Sequence, residues 1–425
     1  MLDINLVRKQ PELVRAGMEK RGMDPSPVDA AVELDAKRRK LVQEVETLKG
    51  ERNKISKGVG RGTDDAEREK LIKQGREIGS KIKLLDDDVR LVEIDLRAVM
   101  AIIPNIPYDQ VPAGGEDDNI VMREVGEKPS LDFEAKPHWD LGPELGIINF
   151  EQGVKLTGSR FYVLSGAGAR LQRALIAWML DLHGRQGYTE KYTPFIVREE
   201  TVFGAGQLPK FKDNLYKDHE EDLYLIPTAE VPLTGLHMDE ILEEASLPRH
   251  YTAYSPSFRR EKMSAGRDVR GIKRGHQFDK VEMYKYCLPE NSNEEFDKMV
   301  ADAEQTCQEL GLPYRVLFKA AGDTSEAAHI SYDIEVWAAG CGEWLEVSSI
   351  SNVGEYQARR AGIRYRPTDG GANRPVHTLN GSGLGLPRTM IAVLENNQQE
   401  DGSVVVPDVL LPWMGGITVI TKEDN

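Results

Sequence analysis

The chain has 425 residues, with 55 Lys+Arg against 70 Asp+Glu, a formal net charge of −15, 40% hydrophobic and 29% charged residues. That length exceeds one ordinary core, so two domains are expected, and the balance excludes a globally disordered chain. Net acidity excludes a general nucleic-acid-coating protein but leaves room for a local basic surface, because phosphate contacts follow local charge. No apolar run is long enough to predict a membrane helix. The opening MLDINLVRKQPELVRAGM lacks the basic flank, apolar stretch and cleavage site of a secretory leader. Cys287, Cys307 and Cys341 are too widely spaced for a disulfide framework or a CxxC zinc site and read as reduced thiols of a cytoplasmic protein.

In the first hundred residues Leu34, Leu41, Leu48 and Ile55 recur every seven positions, with Val45 between them. Ile78, Ile82, Leu85, Val89, Val92, Leu96 and Val99 alternate steps of four and three. That spacing predicts two helices of an antiparallel coiled-coil hairpin, about 28–100, the second roughly 50 Å long. The break GVGRGTDD should be its tip. Arg38 and Arg52 interrupt the seam, either snorkelling or binding something along the arm. Leu34–Ala98 holds 17 Lys+Arg and 14 Asp+Glu, leaving −18 for the remainder. A basic arm suits a polyanionic partner, and a solvated charged coiled coil accounts for the pattern equally well.

IPNIPYDQVPAGGEDDN (103–119) reads as a linker, rich in Pro, Gly and acid. Beyond it, RFYVL, DLYLIP, VEMYKYCL, EWLEVSSIS and ITVI read as strands, and Ala169–Gly184 and Glu294–Leu310 as amphipathic helices. Strands that follow one another without intervening helices predict an α+β domain with a largely antiparallel sheet. There is no GxxxxGK[ST], no HExxH and no GxGxxG after a strand. GSGLG lacks the strand–Ser–helix order of a hydrolase elbow.

Phe258–Phe278 concentrates seven basic residues, Arg259, Arg260, Lys262, Arg267, Arg270, Lys273 and Arg274. It reads as strand–loop–strand. Arg259 and Glu261, two apart, are expected on one face with Phe278 returning opposite. Guanidinium for phosphate, carboxylate for an exocyclic amine and an aromatic ring for a base suit a nucleotide; a solvated surface hairpin is the plainer alternative. In CGEWLEVSSIS, Glu346, Ser348 and Ser349 crowd one strand end, which suits Mg²⁺ alongside phosphates. HTLNGSGLGLPR runs a glycine-rich strand into Pro387 and Arg388 at a helix start, where glycines admit a ligand and Arg388 faces it. Together these stretches converge on a nucleoside triphosphate.

These residues resemble class II aminoacyl-tRNA synthetases, and within them the seryl-tRNA synthetases, over essentially the whole chain. GYTEKYTP (Gly187–Pro194) is similar to the family's first motif, a dimer-interface segment, FRRE…RGHQF to the second and GLGLPR to the third. IPTAEVPLTGL, SAGRDVRG and FDKVE narrow the match to the seryl enzymes. The resemblance implies a class II catalytic domain, residues 120–425, with a six- or seven-stranded antiparallel sheet, preceded by a linker (104–119) and a tRNA-binding arm domain (1–103). It also implies an ATP-dependent homodimer that joins L-serine to tRNA(Ser), and to tRNA(Sec) where one exists, through seryl-adenylate.

Position by position, it implies Arg259 on the α-phosphate, Glu261 on the adenine amine, Phe278 stacked on adenine and Arg388 on the γ-phosphate. Arg260, Val347 and Ser348 complete the ATP site, and Glu346 and Ser349 hold Mg²⁺. Thr228, Ala229 and Glu230, with Arg259, Glu282 and Ser382, form the serine pocket. Departures from the family pattern fall in the loop: Lys262-Met263 stand where Ala-Gly is common, and Lys273 and Gly275 replace an apolar residue and a Gln or Val. A non-catalytic paralogue is disfavoured by the presence of Arg259, Glu346 and Arg388. An amino acid:carrier-protein ligase would lack the arm, and a coiled-coil scaffold leaves the last 300 residues unexplained.

Overall fold

The computed structural model describes residues 1–59, 64–262 and 270–422, in two compact units that meet between Pro104 and Asn105. In the N-terminal unit, α1 (Ser26–Val59) and α2 (Asp65–Ile102) pack against each other along the expected seam. Val45, Ile82, Val92 and Leu96 are buried, whereas Leu84, Leu91 and Ile94, off the seam, are exposed. Glu44–Lys81 (3.1 Å), Lys49–Asp86 (3.3 Å) and Arg38–Glu93 (3.4 Å) flank it, the outer-position pairing of a coiled coil. Arg38 therefore snorkels to carboxylates, and Arg52 is exposed. Half of the predicted tip, residues 60–63, lies outside the described residues. Asp35 is fully buried on α1 beside Arg8 and Arg39, at 3.3 and 2.9 Å, a charge cluster that apolar periodicity does not reveal.

Among the described residues, the main sheet of the second unit has eight strands. In chain order they are β1 (Ile120–Val125), β2 (Thr189–Glu190), β3 (Arg249–Phe258), β4 (Gln277–Cys287), β5 (Tyr314–Phe318), β6 (Ile330–Ala338), β7 (Glu343–Gly354) and β8 (His377–Gly385). Their order across the sheet is β1-β5-β6-β7-β8-β4-β3-β2. Every pair is antiparallel except β2 with β3, so the expected six- or seven-stranded antiparallel sheet has eight strands and one parallel edge pair. Alternation along β4 sorts its residues: Val281 and Met283 enter one apolar core, and Tyr284 and Tyr286 another. Against the first core pack α3 (Gly166–Arg185), through Leu171, Trp178 and Met179, and α5 (Ser292–Glu309), through Phe296 and Met299, with α4 (Glu230–Gly235) lining the second. The helix α6 (Leu386–Asn396) follows β8 directly, with Pro387 in its first turn.

The segment read as a linker is not free-running. Asn105 donates to the carbonyls of Ala327 and Val353 at 2.8 and 2.9 Å, and Val111 is buried in the main core. Pro104 and Pro107 are buried, while Gly114, Gly115 and the acidic residues that follow are exposed. The three cysteines are free thiols, and no described helix is long and apolar enough to cross a membrane.

Candidate active site

A cavity of about 310 Å³ opens where the ends of β3 and β4, the middles of β7 and β8 and the start of α6 converge. The β3–β4 pairing runs to Phe258 opposite Gln277, so Arg259 and Glu261 sit just past the strand end. Glu261 adopts a positive φ of 49°, a conformation L-residues seldom take. Strand alternation is therefore not what brings Arg259 and Glu261 together. The chain turns there because Arg260 N–H and Lys262 N–H donate to the carbonyl and side-chain oxygens of Asn214, at 2.9 and 3.0 Å. Glu261 then receives Arg274 Nη1 at 2.8 Å. The Arg259 guanidinium lies 5.0 Å over the Phe278 ring and donates through Nε to the Pro227 carbonyl at 3.2 Å.

On β7, plain alternation would put Glu346 and Ser348 on one face and Ser349 on the other. A bulge intervenes: Ile334 faces Ser348, but the next residue, Glu335, faces Glu346, so Val347 is the extra residue. The bulge shifts the side-chain sequence by one. Glu346 and Ser349 both line the cavity, while the Ser348 hydroxyl turns away to donate to the Ser382 carbonyl at 2.6 Å. Arg388 is held by two carbonyls, Lys273 at 3.2 Å through Nε and Glu346 at 2.9 Å through Nη1.

Cations and carboxylates are interleaved around this cavity. Burial pushes the Glu346 carboxyl up, but Arg388, Lys319 and Arg259 outweigh it and hold it below the ordinary carboxylate range. Deeper in, Glu282 accepts from the Thr228 hydroxyl at 3.0 Å and pairs with Lys280. Glu230 accepts from Gln357 at 2.6 Å and Asn380 at 2.8 Å. Burial, reinforced by Glu282, pushes the Glu230 carboxyl up to about 7.

That raised carboxyl penalises the ligand-free fold once Glu230 ionises. The penalty is absent below the ordinary glutamate range near 4.5, grows as pH rises and is complete above about 7. Glu230→Gln should therefore raise the melting temperature by several degrees at pH 8 and leave it nearly unchanged at pH 5, as scanning calorimetry would read. An equal shift at both values would contradict the assignment.

Of the residues expected here, Thr228, Glu230, Arg259, Glu261, Phe278, Glu282, Glu346, Val347, Ser349, Ser382 and Arg388 line the cavity. Three do not. Arg260 directs its guanidinium to the Tyr216 ring at 5.9 Å, Ser348 faces away, and Ala229 is fully buried among Leu233 and Tyr284. The glycine-rich strand also serves differently from expectation. A Cβ on Gly381 or Gly383 would lie 2.9 Å from Ile350 or 2.0 Å from the His183 ring, so these two admit neighbouring side chains, not a ligand. Met263 and Arg267 lie outside the described residues. Lys273 pairs with Glu343, and a Cβ on Gly275 would come within 3.1 Å of the Gln277 carbonyl.

Asn380, Gln357 and Lys319 were missed. Asn380 stands two residues before Ser382 on the same strand face, so alternation could have found it. Lys319 contacts Asp333 at 2.8 Å, and Asp333 sits opposite Ser349 only through the β6–β7 register.

The chain's similarities to known proteins cover nearly its full length. A family model described as the seryl-tRNA synthetase N-terminal domain matches residues 1–107, and one described as the tRNA synthetase class II core domain (G, H, P, S and T) matches residues 210–397. A serine--tRNA ligase of Roseiflexus sp. (strain RS-1) is 59% identical over 99% of this chain and 100% of its own, and one from Chloroflexus aurantiacus is 56% identical over 98% and 99%. Among solved structures, a seryl-tRNA synthetase from Pyrococcus horikoshii complexed with ATP has a TM-score of 0.93 at 38% identity, covering 99% of both chains. A cytoplasmic serine-tRNA ligase from Naegleria fowleri in complex with AMP has a TM-score of 0.88 at 34% identity, again covering 99% of both.

Proposed function

The chain belongs to the seryl-tRNA synthetase family, and from that premise we propose how its cavity ligates L-serine to tRNA(Ser) at the expense of ATP. The serine carboxylate attacks the α-phosphorus of ATP in line, pyrophosphate leaves, and the terminal ribose hydroxyl of tRNA then attacks the acyl carbon of seryl-adenylate. No covalent enzyme intermediate is needed. Catalysis is positioning plus charge stabilisation.

The reading rests above all on one cavity that brings together Arg259, Arg388, Phe278 and the carboxylates of Glu230, Glu261, Glu282 and Glu346. Arg259, held by the Pro227 carbonyl, meets the α-phosphate, and Arg388, held by the Lys273 and Glu346 carbonyls, meets the γ-phosphate. Phe278 offers a ring to adenine, and Glu261 a carboxylate to its amine. Glu346 and Ser349 would hold Mg²⁺: an ionised carboxylate beside a hydroxyl is an all-oxygen donor set suited to a hard cation. The ion, when bound, neutralises charge on the phosphates. Val347, which lines the cavity beside Glu346, completes this part of the site.

Thr228, Glu230, Glu282 and Ser382 bind serine, and the buried Ala229 supports them. A pocket built to hydrogen-bond a hydroxyl leaves polar groups unpaired when alanine enters, and such sites discriminate by about 10⁴-fold or more. Glu282→Ala should raise KM for serine by about 100-fold or more, the scale of an unpaired buried group, while KM for ATP moves little. Serine-dependent pyrophosphate exchange reads both constants, and equal changes in the two would contradict the assignment.

Residues 1–103 form the tRNA-binding arm domain, and 120–425 the catalytic domain. The arm's net positive charge supports contact with the tRNA backbone, and the same contacts would serve tRNA(Sec) where that tRNA exists. The protein works as a cytoplasmic homodimer through Gly187–Pro194, a reading supported by Tyr192, which is 84% exposed beside β2.

A further inference from the structure

Outside the cavity, His138, Cys341 and Glu395 bring their polar side-chain atoms within 4.8 Å of one another. His138 and Glu395 are fully buried. These are metal-ligand residue types, but their lone pairs and hydrogens are already engaged. Glu395 Oε1 accepts from the His138 ring Nδ1 and backbone N–H, both at 2.8 Å, and from the Cys341 thiol at 3.1 Å. Its Oε2 accepts from Cys341 N–H at 2.8 Å. Burial pushes the Glu395 carboxyl up, but these hydrogen bonds outweigh it and keep it ionised, while burial holds the Cys341 thiol protonated as a donor. An ionised carboxylate at Nδ1 fixes the proton on that nitrogen. The other nitrogen, Nε2, then accepts the backbone N–H of Ile272 at 3.0 Å.

Ile272 belongs to the described leg that leads from the basic loop into β4. Its neighbours are clamped as well. Gly271, at φ +69°, passes so close that a Cβ there would lie 1.9 Å from His138 Nε2. Arg270 and Lys273 lie 5.0 and 5.2 Å over the Trp139 ring. The Lys273 carbonyl accepts from Arg388 Nε at 3.2 Å. Glu395 and Arg388 stand seven residues apart on α6, two turns along one face. The leg is thus tied to that helix twice, once directly through Arg388 and once through His138.

We propose that His138 is a positioning residue for the ATP reaction: its neutral imidazole, oriented by Glu395, fixes the Gly271–Lys273 leg so that the Lys273 carbonyl aims Arg388 into the cavity. The inference rests on the triphosphate reading of Arg388. Three variants separate the two: His138→Phe fills the space without an acceptor, His138→Gln restores an acceptor near Nε2, and Arg388→Ala removes the aimed group.

In serine-dependent pyrophosphate exchange, His138→Phe should raise KM for ATP about tenfold or more, as for a buried donor left unpaired. KM for serine should stay within about twofold, and His138→Gln should recover most of the loss. Arg388→Ala should raise KM for ATP at least as far. A folded His138→Phe protein with unchanged KM for ATP overturns the proposal when Arg388→Ala is impaired. So does a parallel rise in both constants that His138→Gln leaves uncorrected, because a merely structural role behaves that way. An Arg388→Ala variant with normal KM for ATP removes the phosphate reading by itself, and the proposal with it. Should His138→Phe not fold, hydrogen exchange in the unmodified protein decides: the Ile272 amide should be among the slowest in its segment, and rapid exchange there refutes the latch.

Discussion

Arg259→Ala should abolish serine-dependent exchange of pyrophosphate into ATP, with a fall of about 10³-fold or more, the range for removing a preorganised charge from a phosphoryl-transfer site. Three observations argue for so large an effect. The guanidinium is anchored through Nε to the Pro227 carbonyl and rests on the Phe278 ring, so little reorganisation remains when phosphate arrives. Burial works against its charge, while Glu261, Glu346, Glu282 and Glu230 sustain it. Removing it therefore leaves four carboxylates facing an incoming triphosphate. Lysine should not rescue: a point charge supplies neither the forked donors nor the stacking. Near-normal exchange by the alanine variant would contradict the α-phosphate role.

The second large effect separates adenylate formation from transfer. Glu44 and Lys81 face each other across the hairpin at 3.1 Å, so removing residues 46–81 and bridging the cut with glycine and serine shortens the arm while keeping its base. Pyrophosphate exchange should stay within about twofold of the intact protein, since all cavity-lining residues lie between Gln207 and Arg388. Charging of tRNA(Ser) should fall about 100-fold or more, because phosphate contacts supply much of the affinity for nucleic acid. Equal charging by the shortened protein would refute the arm's role.

Much of the architecture was legible because periodicity is a local signal. The sevenfold seam marks α1 and α2, and aromatic and β-branched runs mark β4 and β7. The cavity was legible in residue identity more than in geometry. Glu346 and Ser349 both line the cavity, yet strand alternation alone separates them; the Val347 bulge that reunites them arises from the register with β6, which no local window contains. Arg259 and Glu261 meet through a positive-φ turn pinned by Asn214, some 45 residues upstream. The Gly381 and Gly383 positions read as room for a ligand and prove to be room for Ile350 and His183. Asp35, Lys319 and His138 were invisible for a shared reason: a buried charge or imidazole is defined by partners distant in sequence, and composition records only that a polar residue is present.

The basic run from Arg259 to Arg274 now divides by function. Arg259 belongs to the cavity wall, Arg274 steadies Glu261, and Arg270 and Lys273 secure the leg against Trp139. What looks in the sequence like one basic patch contains at least three separate electrostatic tasks.

The most direct test of the whole account is pyrophosphate exchange measured with each of the twenty amino acids in turn. Serine alone should support it, with alanine lower by about 10⁴-fold because the hydroxyl-binding groups would be left unpaired. Exchange with a different amino acid in preference to serine, or none with serine, would contradict the assignment of this cavity.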